Sequence, residues 1–424
     1  MEELYNLYVQ YPSVQTDTRK LNKGDLFFAL KGPSFNGNAF AQKAIDAGAA
    51  YAVIDESQYA VEGKTILVDD VLTALQQLAG FHRKQFSVPF IAITGSNGKT
   101  TTKELIHAVL SAAYKTYTTE GNLNNHIGVP LTLLKIRKDA QMAVIEMGAN
   151  HQQEIASYCE YALPTHGLIT NVGKAHLEGF GGEEGVRKGK GELYDHLRDH
   201  GGTAFRMNDY DYLVEMSRGI THIYTYGSGD ADIVGTILET DPFLQVAFQK
   251  GCKGTVKTNL VGSYNLPNVL AAVAVGKYFN VPEERIKTAI EHYVPSNSRS
   301  QLLEKGSHKI ILDAYNANPS SMKAAIENFA NIRAENKILA LGAMAELGEN
   351  SLQEHAAIVE EIKKYPWQQV LLVGGDFTKL HHPYQQFQSP QEAGEWIKKT
   401  SDNAYILIKG SRSMQMEKLL EYLS

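Results

Sequence analysis

The chain has 424 residues, 43% of them hydrophobic and 21% charged, and a formal net charge of −6. That much apolar surface can offset the ordering entropy, which excludes a disordered chain, and the length exceeds what one core organises, so three domains are expected. The negative balance excludes a basic field for nucleic acid or an anionic membrane, so any anionic ligand must be held locally.

Cys159 and Cys252 are too few for a disulfide framework, and no Cys/His cluster has zinc spacing. The N-terminus lacks a positive segment followed by an apolar run, and no stretch approaches the about 18 apolar residues of a membrane span. A cytoplasmic protein without membrane insertion is expected.

Between residues 24 and 68 the pattern predicts a strand over 26–30, a helix over 40–47 and strands over 51–54 and 66–68. A helix over 71–85 leads to Val88-Pro89, where the pattern restarts, so 1–87 forms a small α/β domain. Apolar strands over 90–94, 143–147 and 167–171, each with a helical pattern after it, predict a parallel sheet covered on both faces. Over 223–261 the pattern alternates in short strands, which predicts an antiparallel insertion, and helices over 265–279 and 282–292 close a central domain of 88–297. After Pro295, strands over 310–312, 338–341, 370–373 and 406–408 alternate with helices over 320–332, 351–364 and 391–398. This is a doubly wound α/β domain over 298–424.

Directly after the strand over 90–94 comes Thr94-Gly95-Ser96-Asn97-Gly98-Lys99-Thr100-Thr101, followed by an amphipathic helix to about residue 113. Glycines permit a turn whose backbone N–H groups face an anion, and the helix N-terminus adds partial positive charge. Lys99 would neutralise the β- and γ-phosphates and Thr100 would ligate magnesium. The loop is shorter than the standard eight-residue form, which needs glycine where Ile93 stands. A phosphate site is nonetheless favoured over a bare glycine-rich turn. Taken alone the loop says nucleotide without saying what is done with it.

Glu146 ends the strand over 143–147 at the carboxyl edge of the sheet, where ligands bind in open α/β folds, and is either a magnesium ligand or a solvated strand end. His176 follows the next strand and can reach the same edge, although a lone histidine there is more often structural.

At this point the chain resembles the Mur ligase family, and within it the branch that adds a dipeptide. The resemblance covers nearly the whole chain. It is carried by the phosphate loop, Gly121 to Pro130, Glu146 to His151, Ala175-His176-Leu177-Glu178, and Tyr264-Asn265-Leu266-Pro267-Asn268. Further blocks are Asp313-Ala314-Tyr315-Asn316-Ala317-Asn318-Pro319, Met344-Ala345-Glu346-Leu347-Gly348 and Lys409-Gly410-Ser411-Arg412.

The resemblance implies a three-domain α/β architecture: a small N-terminal domain, a central P-loop ATPase sheet and a Rossmann-like C-terminal domain that closes over the site. It implies ATP and Mg2+ as cofactors, with Gly95, Ser96, Asn97, Gly98, Lys99, Thr100 and Thr101 at the phosphates. Asn268 would meet the adenine, Arg299 the γ-phosphate and Asp313 the ribose. Thr100 and Glu146 would share one magnesium, and His176 would help to ligate a second.

Lys190 aligns with a lysine that several relatives carry as a carbamate on the second metal. Carbamylation replaces a repelling ammonium with an oxygen-donating anion, and the alternative is a helix-face lysine in solvent.

Substrate contacts implied by the resemblance are Thr18, Arg19, Lys31 and Asn36 for a uridine diphosphate sugar. Asn122, Asn124, Asn125, Asn316, Asn318, Lys409 and Arg412 complete the substrate-binding set. Asn38, Ser298, Gln301 and Ala343 depart from the family pattern, which touches substrate contact and domain closure and removes no phosphate or metal ligand.

The implied partners are UDP-N-acetylmuramoyl-tripeptide and D-alanyl-D-alanine, acting on a monomer. The implied reaction phosphorylates the peptide carboxylate to an acyl phosphate that the dipeptide amine then attacks. The Asp-Asn-Pro-Arg signature of the relatives that add the third residue is absent. A phosphotransferase, which would leave phosphate on its product, and a non-catalytic nucleotide binder are the rivals from other classes. The set Lys99, Glu146, His176 and Arg299 disfavours a mere binder.

Overall fold

Runs of small and β-branched apolar residues, free to bury both faces, organise three main sheets, beside a two-stranded ribbon of Lys31–Gly32 and Phe35–Asn36, in the computed structural model, which describes residues 1–296, 298–400 and 403–423. The expected domain limits at 297 and 424 therefore lie outside the described residues.

The first sheet has four parallel strands, ordered Val14–Gln15, Leu26–Phe28, Tyr51–Ile54, Thr65–Leu67. Helix Val71–Arg83 follows, started by Asp70, whose carboxylate accepts from the Thr73 N–H at 2.7 Å. It packs on helices Gly128–Leu134 and Glu154–Ala162 of the central unit. Arg83 Nε donates to the Ala162 carbonyl at 2.9 Å, and His82 Nε2 lies 2.9 Å from the Ile136 carbonyl. By its packing this helix lies against the helices of the central unit, although it precedes Val88-Pro89 in sequence.

The central sheet has nine strands, with Phe90–Thr94 third from one edge and buried at every position. It pairs in parallel with Met142–Glu146 and with His166–Ile169; Ile93 lies opposite Glu146 on one side and Leu168 on the other. Three strands thus end at one level, which puts residues 95–98, Glu146 and residues 170–173 along a single edge.

The expected antiparallel insertion over 223–261 is present over residues 233–261, and only its first strand departs from the expectation. Strand His222–Gly227 pairs in parallel with Thr203–Met207, and Ile233–Glu239 continues in parallel from it. Phe243–Lys250 pairs antiparallel with both Ile233–Glu239 and Thr255–Val261, and all extend the same sheet. Alternation reports that one face is buried and carries no direction. Helix Leu266–Tyr278 covers these strands and helix Lys99–Ser111 together.

The third sheet is ordered Gln301–Lys305, His308–Asp313, Tyr405–Lys409, Lys337–Gly342, Gln369–Val373, Gln385–Phe387, antiparallel only at its first pair. Its helices Pro319–Asn331 and Ser351–Ile362 point their first turns at the edge of the central sheet. No described helix is long and apolar enough to cross a membrane. Both cysteines are free and buried.

Candidate active site

The phosphate loop turns where two glycines allow it. Gly95 sits at φ +142°, and a Cβ there would lie 2.0 Å from Thr170 Oγ1; Gly98, at φ +79°, would meet Asn268 Oδ1 at 2.8 Å. The loop is braced from the next strand. Asn171 Oδ1 accepts from the Asn97 N–H at 2.9 Å, Thr170 Oγ1 donates to the Asn97 carbonyl at 2.6 Å, and Ser96 Oγ both donates to Gly173 O and accepts from Gly173 N.

Lys99 folds over its own loop, Nζ donating to the Gly95 carbonyl at 2.7 Å. The side chain is partly open to the cavity, yet the crowding of its ammonium pulls its pKa down to about 8, with Glu146 opposing the fall. Thr100 opens the helix, and its hydroxyl donates to Glu146 Oε1 at 3.1 Å, where Asn124 Nδ2 also donates at 2.7 Å. Glu146 is 1% exposed, and its second oxygen, Oε2, is buried without a hydrogen-bond partner among the described residues. A buried bare carboxylate oxygen beside a threonine hydroxyl fits a hard cation such as magnesium.

A cavity of about 820 Å³ opens between this edge and the third domain. Ser96 to Thr101 and Asn268 form its floor, and Asn122, Asn124 and Asn125 one wall. Arg299, Asp313, Asn316, Asn318, Lys409 and Arg412 reach it from the far side. The Arg299 guanidinium lies 3.7 Å over the Tyr315 ring, and its Nε is buried with no partner among the described residues, a donor fit for an anion. Asn268 is fixed by Thr102 Oγ1 at 3.0 Å and by its own bond to Asn265 at 2.9 Å.

Of the expected metal set, Thr100 and Glu146 are hydrogen-bonded to each other, while His176 and Lys190 are engaged by other groups. His176 Nδ1 faces Glu346 Oε2 of the third domain at 2.5 Å, and hydrogen bonding to His176 pulls the Glu346 pKa down. Lys190 is not a solvated helix-face lysine. It is 1% exposed, its Nζ donates to the Ala149 carbonyl at 2.9 Å, and burial, then repulsion from Lys99, drives its pKa well below the ordinary lysine value.

Lys409 lines the cavity but is itself buried, its ammonium paired with Asp313 at 2.6 Å. Arg412 is exposed and held by Glu417 at 2.7 Å.

Thr18, Arg19, Lys31 and Asn36 lie in the first domain and do not line this cavity. Arg19 pairs with Asp17, Lys31 with Asp55 at 3.1 Å, and Asn36 donates to Glu56 at 3.0 Å. Residues not assigned roles from sequence but set at the site are Asn171, Glu346 and Tyr315. Asn171 was within reach of a reading, since it directly follows the apolar run over 167–170 at the same sheet edge.

Comparison with known proteins gives matches over most of the chain. Residues 10–83 match the family described as Mur ligase family, catalytic domain; 93–276 match Mur ligase middle domain; and 298–412 match Mur ligase, glutamate ligase domain. A UDP-N-acetylmuramoyl-tripeptide--D-alanyl-D-alanine ligase of Bacillus subtilis (strain 168) is 34% identical, covering 97% of this chain and 92% of that protein. The protein of the same name from Escherichia coli (strain K12) is 34% identical, covering 99% and 95%. Among solved structures, MurF from Acinetobacter baumannii superposes with a TM-score of 0.88 at 32% identity, covering 96% of this chain and 92% of that one. MurF ligase from Thermotoga maritima in complex with ADP gives 0.87 at 26% identity, covering 97% and 96%.

Proposed function

The chain belongs to the Mur ligase family, and from that premise we propose that the cavity between its central and C-terminal domains is where it forms an amide bond. The protein is an ATP-dependent ligase that joins D-alanyl-D-alanine to the peptide carboxylate of UDP-N-acetylmuramoyl-tripeptide, in peptidoglycan precursor synthesis. The observation that carries the site assignment is a pair of unsatisfied buried groups facing one cavity, Glu146 Oε2 and Arg299 Nε, with the phosphate loop between the elements that hold them.

A carboxylate does not condense with an amine at neutral pH; bound ATP and magnesium supply the phosphoryl group and the charge neutralisation that turn the carboxyl carbon into an electrophile. The rest is the work of this chain. Thr100 and Glu146 would hold the metal, and the backbone N–H groups of residues 96–99 with the Lys99 ammonium would hold the phosphates. Asn268 would fix the base and Asp313 the ribose, and Arg299, its face backed by Tyr315, would meet charge developing on the transferred group. The carboxylate oxygen gains the phosphorus as ADP leaves. The dipeptide amine then bonds the acyl carbon as inorganic phosphate leaves. Asn122, Asn124, Asn125, Asn316 and Asn318 line the space in which the two substrates meet, and the docked C-terminal domain limits water.

His176 and Lys190 would complete a second metal site only after His176 releases Glu346 and Lys190 gains a carbamate. Burial, then repulsion from Lys99, lowers the Lys190 pKa and so favours the neutral amine, which is the form that attacks CO2. Thr18, Arg19, Lys31 and Asn36 of 1–87 would hold the uridine diphosphate sugar, with 88–297 holding the nucleotide and 298–424 closing over it. A cytoplasmic location is supported by the two free cysteines.

The test is release of ADP and phosphate by the purified chain with UDP-N-acetylmuramoyl-tripeptide, comparing D-alanyl-D-alanine with single amino acids. Phosphate release that requires the dipeptide is expected. Release without amide, or a stable phosphorylated product, would overturn the reading.

A further inference from the structure

Residues 170–173 brace the phosphate loop on one side, and residues 173–178 touch the C-terminal domain on the other. The Lys174 N–H donates to Ser320 Oγ at 3.2 Å, in the first turn of helix Pro319–Asn331. Lys174 Nζ donates to Glu354 Oε1 at 2.7 Å, in the first turn of helix Ser351–Ile362. One residue earlier, Gly173 is bonded to Ser96 Oγ through both its N–H and its carbonyl. A rigid path of three residues therefore runs from the phosphate loop, through Gly173 and Lys174, to two helices of the other domain.

The ion pair is not an ordinary surface contact. Lys174 is 40% exposed, but the Glu354 side chain is 12% exposed. Glu183 lies 3.7 Å from the same ammonium on its solvent side, and Glu346 faces His176 two residues on. Three carboxylates thus gather at this seam, with Lys174 the cation placed against two of them. Without it, docking of the third domain would enclose Glu354 with no counter-charge, which opposes the docked state.

We infer that Lys174 is a positioning residue: its pair with Glu354 fastens the C-terminal domain to the segment that braces the phosphate loop, and so sets Asn318 and the Lys409 to Arg412 segment over the reacting groups. This rests on the site reading above, and a charge-exchange cycle separates the two. The full chain is compared with Lys174→Glu, Glu354→Lys and the double exchange. Measurements are ADP–magnesium binding by calorimetry, ligase kinetics, and small-angle scattering with ADP and magnesium present.

Each single reversal is expected to lower kcat about tenfold, with ADP affinity within about threefold of the parent and an expanded scattering profile. The double exchange is expected to recover most of the rate and the compact profile, since the pair is re-formed with its signs swapped. A role in folding alone would lower the stability of the single variants while leaving the kcat and scattering profile of the folded chain at the parent values. Single reversals that leave rate and compaction at the parent values, or a double exchange no better than the singles, would overturn the inference. A parent chain that fails to bind ADP would instead sink the nucleotide site, while the scattering cycle would still decide the latch.

Discussion

Asn318 Nδ2 donates to Asn97 Oδ1 at 2.8 Å, joining the N-cap of a C-terminal helix to the phosphate loop across 221 residues of chain. The same Asn318 accepts from the Ser321 N–H through Oδ1 at 2.9 Å and so starts helix Pro319–Asn331. One amide side chain therefore does two separable things: its oxygen caps, and its nitrogen reaches the other domain.

Asn318→Asp keeps the capping oxygen and removes the donor. The variant should melt within about 0.5 kcal/mol of the parent, because aspartate is as good an N-cap as asparagine. Its kcat/KM for ATP should fall about tenfold or more, since a second acceptor then faces Asn97 Oδ1 and a negative charge lines the cavity. Asn318→Ala should lose about 1 kcal/mol of stability as well. Steady-state kinetics beside thermal melts check this; an aspartate variant with parental kinetics would show the contact to be incidental.

Glu146→Gln retains the shape of the side chain and an acceptor for Asn124 and Thr100, but replaces the buried Oε2 with an amide nitrogen. The magnesium concentration for half-maximal rate should rise about tenfold or more, since a carboxylate is the charged ligand in the pair. Magnesium titration at saturating ATP measures it. Unchanged dependence would remove Glu146 from the metal site.

How much of this was legible before the structure depended on how far apart the partners lie in sequence. The phosphate loop is local, a strand, two glycines and a lysine in one short run, and its placement on the sheet edge agrees with the reading. Strands 51–54 and 90–94 keep the limits expected for them, because unbroken apolar runs leave little latitude. Edge strands Val14–Gln15 and Thr116–Thr118 were not visible; they are too short to form a pattern and take their shape from a paired neighbour.

The burial of Lys190 was hidden for a different reason. Helix Glu183–Asp199 is amphipathic, burying Val186, Leu193, Tyr194 and Leu197, but Lys190 and Glu192 sit on that same buried side beside Gly189, and charged residues there read as solvated until the fold encloses them. The contacts that join the domains, Asn97 with Asn318, Lys174 with Glu354 and His176 with Glu346, pair polar residues far apart in the chain. Each reads as solvated surface until the fold brings it to its partner.

The Lys190 amine, its pKa lowered by burial, would add to CO2, forming an N–C bond and losing a proton to leave a carbamate. Protein incubated with 13C-labelled bicarbonate should show a carbamate carbon resonance that Lys190→Ala lacks. The variant should also lose about 100-fold in kcat, since a buried anion facing the phosphate loop can no longer form. Identical spectra for the two proteins would reject the modification and leave Lys190 a buried structural amine bonded to Ala149.

His166 offers a prediction about stability. Its ring is enclosed by Phe205, Tyr278 and Phe279, with centroid separations of 6.1, 5.5 and 5.0 Å, and burial pushes its pKa down to about 4. The folded value lies below the ordinary 6.5, so the fold holds the neutral ring, and the stability this implies is fully present above that pH. As pH falls below 6.5 the unfolded chain gains a proton that the folded chain refuses, and the loss grows until about pH 4, where it reaches about 3 kcal/mol. His166→Phe keeps the aromatic packing and removes the proton site, while Thr165 Oγ1 retains its bonds to the backbone of Phe90. Chemical denaturation of the central domain between pH 7 and 4.5 should therefore show a shallower acid decline in the variant. Equal slopes in both proteins would mean that water reaches the imidazole and that its charge is tolerated in the fold.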